Sequence, residues 1–99
     1  MKILISHEHN ASHYIYTGIA NAFGLRGDSC IFWNKESTPA FDAFDRFEPD
    51  LFIGQGYNLD RATIKCLNSR PDMKVLLKVG CWGPVCQDVD TEKYPILLN

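Results

Sequence analysis

The feature that most constrains this chain is a set of short apolar runs in which hydrophobic residues follow one another with little polar alternation. Ile3-Leu4-Ile5 comes first, then Cys30-Ile31-Phe32-Trp33, then Leu51-Phe52-Ile53, then Met73-Lys74-Val75-Leu76-Leu77-Lys78-Val79. A strand that is apolar on consecutive residues has to be covered on both faces, which is the habit of parallel sheets lying between layers of helix. The segments between the runs carry helical spacing. Ser12 is a suitable N-cap for a first helix with Ile15, Ile19, Ala22 and Phe23 facing inward, and Gly24 and Gly27 mark its exit. Thr38-Pro39 caps and opens a short second helix whose Phe41, Phe44 and Phe47 form a stripe expected in the core, and Pro49 ends it. Asn58 is expected to cap a third helix with Leu59, Ala62, Cys66 and Leu67 inward, closed by Arg70-Pro71-Asp72. After Gly80 the pattern is irregular until Tyr94-Pro95-Ile96-Leu97-Leu98, a candidate fifth strand.

Strands alternating with helices, joined by right-handed crossovers, leave few arrangements. The expected fold is α/β: a three-layer sandwich of Rossmann-like or flavodoxin-like type. Its parallel sheet should have four or five strands in the order 2-1-3-4, with the fifth outside. Ninety-nine residues make one such domain, spanning 1–99, and 45% hydrophobic with 12% aromatic residues suffice for one core and exclude a disordered chain. Apolar stretches of three to five residues fall far short of the ~20 that cross a bilayer, so no membrane span is expected. Ten basic against twelve acidic residues, a net charge of −2, lack the footprint of a nucleic-acid binder. The opening Met1-Lys2-Ile3-Leu4-Ile5 runs straight into strand without the layout of a secretory signal. With four irregularly spaced cysteines, that points to a cytoplasmic setting and free thiols.

Ligands of such sheets bind outside the carboxyl ends of the strands, where the strand order reverses. Here that rule selects the loops at 7–11 and 54–58, with 80–83 one strand further along. His7-Glu8-His9-Asn10 is the most titratable cluster in the chain. Either histidine has the ordinary pKa for a general base at neutral pH, with Glu8 in support. The same residues also suit a solvated loop that caps the next helix. Gly54-Gln55-Gly56-Tyr57-Asn58 offers a close backbone approach followed by a helix N-terminus, and its amide and phenol side chains suit a polyhydroxyl ligand. It equally suits a plain strand-to-helix turn, since it lacks the third glycine of a dinucleotide fingerprint and no P-loop motif occurs. Trp82 is placed to stack on a sugar or base, or to pack against its own loop. His7, His9 and His13 with Cys81 and Cys86 have poor spacing for zinc, so no metal and no cofactor are expected.

One family shares this order of residues. The Met-Lys-Ile-Leu-Ile strand, the histidine loop, Ala20-Asn21-Ala22-Phe23 and Gly27-Asp28-Ser29-Cys30 lead to Phe47-Glu48-Pro49-Asp50-Leu51-Phe52-Ile53 before Gly54. Together, over about residues 1–80, they resemble the N-terminal domain of GT-B-fold glycosyltransferases, in which a helix commonly runs through K-P-D into a central strand. The spore-maturation and viral or phage transferase-like members are the most similar. The resemblance implies an acceptor-binding domain, the N-terminal half of a larger protein. Its base would be His7 or His9 supported by Glu8, and Asn10, Gly54, Gln55, Gly56, Tyr57, Asn58 and Trp82 would line the acceptor side. It further implies a partner, a second Rossmann-like domain or chain carrying the sugar-nucleotide site, and an acceptor glycan or small molecule as ligand. Such a domain would not be catalytically competent alone. The alternative is a stand-alone flavodoxin-like binding, signalling or protein-interaction domain without enzymatic activity.

Overall fold

A computed structural model of the chain describes residues 1–6, 13–55, 59–79 and 96–98. Along the sequence run β1 (Lys2–Ser6), α1 (His13–Leu25), β2 (Ser29–Trp33), α2 (Ala40–Phe47), β3 (Leu51–Gln55), α3 (Arg61–Asn68), β4 (Lys74–Val79) and β5 (Ile96–Leu98). The strands form one sheet in the order β2-β1-β3-β4-β5, every neighbouring pair parallel. This is the expected α/β sandwich.

Strand alternation sorts the apolar runs between two cores. Ile3 and Ile5 of β1 and Leu51 and Ile53 of β3 pack against Tyr16, Ile19, Ala20 and Phe23 of α1. Leu4, Phe52, Val75 and Leu77 point the other way, onto Ala40, Ala43 and Phe44 of α2 and Ile64, Cys66 and Leu67 of α3. Each central strand is thus greasy on consecutive residues because it feeds both cores. Phe44 sits at the centre of the second one, edge-on to Trp33 at 5.8 Å and 77°, and 5.5 Å from the Phe52 ring. Trp33 donates its indole N–H to the carbonyl of Thr38 at 2.8 Å, which ties the loop before α2 to the end of β2.

Two helices turn a different face inward from the one expected. On α2 the core takes Ala40, Ala43 and Phe44, with Phe47 half-buried, while Phe41 is 47% exposed. Positions 40, 43, 44 and 47 are the true helical stripe, whereas 41, 44 and 47 drift around the axis. On α1 the fully buried residue is Tyr16 and Ala22 is exposed, so the inward stripe is 16, 19, 20 and 23. Pro39 takes the N-cap position of α2 without a side-chain hydrogen bond, so Thr38 is not the cap.

At the amino edge of the sheet, Asp50 fastens three strands. Its N–H donates to the Lys2 carbonyl, its carboxylate accepts the Lys2 N–H at 2.8 Å, and its carbonyl accepts the Lys74 N–H. Just before it, Glu48 ends α2 in the left-handed region at φ 51°, ψ 62°, its N–H bonded to the Phe44 carbonyl at 2.9 Å. Pro49 keeps its predecessor out of the helical region, and a residue with a Cβ is strained where Glu48 sits. Glu48→Gly is therefore expected to raise stability by about 0.5–1 kcal/mol. The check is a higher urea midpoint at unchanged slope; a lower midpoint would count against the strain.

The N-cap of α3 is Asp60, not Asn58, which lies outside the described residues. The Asp60 carboxylate accepts the Thr63 N–H at 2.8 Å. Partial burial raises its pKa, but the bonds from Thr63 and its own N–H, with the charge of Lys35, outweigh that and hold it below the ordinary value. A lowered folded-state pKa contributes stability above the unfolded value of ~3.9 and loses it as pH falls through the folded value. Asp60→Ala is expected to cost about 1 kcal/mol at neutral pH. Denaturation curves of variant and parent should converge as pH drops below about 4. A gap that persisted in acid would assign the loss to something other than the carboxylate.

Among the described residues no helix is long and apolar enough to cross a membrane.

Candidate functional site

Where two neighbouring parallel strands send their connections to opposite faces, a crevice opens at their carboxyl ends. β1 leads to α1 on one face, and β3 leads to α3 on the other. These strands are neighbours, with Ile3 beside Leu51 and Ile5 beside Ile53. The reversal in strand order therefore falls between β1 and β3, as the sequence predicts.

At that rim the apolar pattern stops. β1 ends in Ser6 and β3 in Gln55, both buried, and with Thr63 they are the buried polar residues among those described. Polar side chains are costly inside a core unless hydrogen-bonded, so a change of this kind marks where the core gives way to polar chemistry. Alternation puts Gln55 on the α1 face with Ile53, and Ser6 on the α2–α3 face with Leu4. Between them stands Gly54. A Cβ built there would lie 2.8 and 2.9 Å from two atoms of the Phe52 ring and 3.5 Å from the Ser6 Cβ. The glycine is required because the ring of Phe52 lies over its α-carbon.

Gly54 and Gln55 were expected in a loop, and the structure corrects this. Both belong to β3, paired with Leu77 and Lys78 of β4, because β4 is long enough to carry the ladder past Ile53. His7, Glu8, His9, Asn10, Gly56, Tyr57, Asn58 and Trp82 lie outside the described residues, as do Cys81 and Cys86. Residue 7 follows Ser6 and residue 56 follows Gln55 in sequence, so the two predicted segments depart from adjacent strand ends. Ser6 is the rim residue that sequence reasoning passed over, although a serine closing an apolar run was the available signal.

The described cysteines do not add a nucleophile. Cys30 and Cys66 carry free thiols. Burial pushes both up in pKa, helped for Cys30 by Asp28 and partly offset by the terminal ammonium, so neither is poised as a thiolate. Among the described residues no group of three or more His, Cys, Asp or Glu is arranged to hold a metal ion.

Two cavities lie away from the rim. One of about 280 Å³ opens at the amino ends of β3 and β4, with Glu48, Asp50 and Asp72 around Arg70. Arg70 is already engaged, bonded to Asp45 and lying over the Phe44 ring at 5.8 Å. The other, about 380 Å³, runs between β2 and α2 and is lined by Ile31, Phe32 and Trp33 with Asp42, Arg46 and Phe47.

The fold and the position of the rim define an α/β three-layer sandwich with a doubly wound parallel sheet. No family model, curated protein or solved structure matches the chain.

Proposed function

We propose that this domain binds a polar, polyhydroxyl ligand in the crevice between β1 and β3, as the acceptor-side half of a glycosyltransferase-like protein. In this reading His7 or His9 is the base and Glu8 supports it. Asn10, Gln55, Tyr57 and Asn58 hydrogen-bond the acceptor, and Gly56 allows its close approach, while Gly54 makes room for the Phe52 ring behind the rim. Trp82 stacks on the sugar, and the sugar nucleotide belongs to a second Rossmann-like domain. The observation that carries the reading is the parallel pairing of β1 with β3, with Ser6 and Gln55 at their carboxyl ends and the two polar segments next in sequence. The amino-acid sequence over about residues 1–80 supplies the family resemblance.

The test is thermal unfolding against separate panels of sugars and sugar nucleotides. A ligand at 100 times its dissociation constant adds about 2.7 kcal/mol. Acceptor-type sugars are expected to raise Tm, and His7→Ala or His9→Ala to shrink that rise, while sugar nucleotides leave the isolated domain unmoved. A flat response to both panels, or a response to the nucleotides alone, would sink the assignment.

A second reading, an interaction domain without enzymatic activity, is favoured by a separate observation. Ile31 and Phe32 on edge strand β2 are 40% and 42% exposed.

A further inference from the structure

We infer that the ligand of the crevice is anionic, a sugar phosphate or a sugar acid, and that Lys78 of β4 is the residue that selects for its charge. The inference rests on the crevice reading and adds the ligand's charge to it. Register, topology and composition carry it.

Lys78 stands directly beside Gln55 in the parallel ladder of β3 and β4. Registered residues of neighbouring strands share a face, and this one is the face of α1. Ile53 and Leu76, registered two residues earlier, pack with the α1 core, while Val75 and Leu77 take the opposite side. Gln55 is buried at the carboxyl end of β3, on the α1 side of the crevice. Neighbouring strands are about 4.8 Å apart, a gap that the four-carbon stem of a lysine spans. Position 78 is therefore within a lysine's reach of whatever Gln55 meets.

The place is not one where a sheet ordinarily keeps a lysine. Lysines guard the open edges of sheets against stray pairing. β4 has no open edge here, because Lys78 is registered with Gln55 of β3 on one side and with Leu97 of β5 on the other. Lys74 begins the same strand on the same face, but at the amino end, where it is exposed to water. A lysine at the carboxyl end of an inner strand, one strand from the reversal in strand order, has no such explanation.

None of the five strands contains an acidic residue, and neither does α1. The described elements of the α1 face thus offer Lys78 no carboxylate. When a ligand covers the rim and excludes water, an ammonium group left without a counter-charge is costly, and an anionic ligand removes that cost. Phosphate and carboxylate share this chemistry. A neutral sugar supplies hydroxyl groups for Gln55 and nothing for the lysine.

The experiment is a set of dissociation constants, read from thermal shift of the full chain. Each hexose is presented as the neutral sugar, its 6-phosphate and its uronate, with inorganic phosphate alone as a further probe. The parent is expected to bind the 6-phosphate or the uronate at least tenfold more tightly than the neutral sugar, and the preferred form names the anion. Lys78→Met should abolish that preference and leave the neutral sugar's affinity unchanged. Lys78→Arg should retain the preference, and Lys74→Met, at the far end of the strand, should leave it as in the parent. Circular dichroism shows that each variant is folded. Neutral and anionic sugars bound equally, or a preference that survives Lys78→Met, overturns the inference and leaves the crevice reading standing. Inorganic phosphate binding as tightly as the sugar phosphate, and lost in Lys78→Met, sinks the crevice reading but keeps Lys78 as an anion site. A flat response to every probe overturns both.

Discussion

Phe44→Ala is expected to remove about 3–5 kcal/mol of stability, the largest loss from any single side chain on α2. Its ring is fully buried and is the contact through which Trp33, at the end of β2, meets Phe52 in β3. No neighbour stands ready to fill the space, because Ala40 and Ala43 on the same helix face are already small. A domain of this size has only about 5–15 kcal/mol in total, so the variant should sit near the unfolding midpoint in mild urea. The informative control lies three residues away. Phe41 has the same chemistry on the same helix but is exposed, and Phe41→Ala should change stability by less than about 0.5 kcal/mol. Equal losses at the two positions would mean that the inward face of α2 is not the one described.

The second large effect is expected at Gly54. Gly54→Ala drives a methyl group to within 2.9 Å of the Phe52 ring, and that ring is fully buried between β3 and α2, with Phe44 beside it. Forcing a packed ring off its rotamer costs about 1–3 kcal/mol. The clash predicts its own remedy. In a Phe52→Leu background the alanine meets a shorter side chain, so the double variant should lose clearly less than the sum of the two single losses. Strict additivity, read from urea denaturation of the four proteins, would show that the glycine serves some other purpose. Because Ser6 stands on the other side of Gly54, the same substitution also probes the rim of the proposed crevice.

The sheet was legible because burial on both faces leaves a mark that few alternatives share. Ile3-Leu4-Ile5 and Leu51-Phe52-Ile53 supply two cores from consecutive residues, and that requirement shows directly in the sequence. Helix faces were harder. Three phenylalanines spaced by three drew attention to 41, 44 and 47, while the alanines at 40 and 43 that complete the real stripe carry little hydrophobic signal. Tyr16 was passed over for a related reason, since α1 has apolar residues around more than half its circumference and only packing selects among them. At Gly54-Gln55 the local turn signal was overridden by pairing with β4, a contact that no window along the chain contains. Half of the site was reachable in this way: the strand ends and their polarity follow from topology. The geometry of the histidine, tyrosine and tryptophan segments lies beyond the described residues.

The central position of β1 has a consequence for synthesis. As this part of the chain leaves the ribosome, β1 obtains one neighbour when residues 29–33 emerge, and its second only when residues 51–53 follow. Until then the apolar faces that β1 shares with β3 lack that strand, so neither core closes before β3 has been made. A chain stalled at residue 48 would carry α1, β2 and α2, yet lack the strand that lets them hold together.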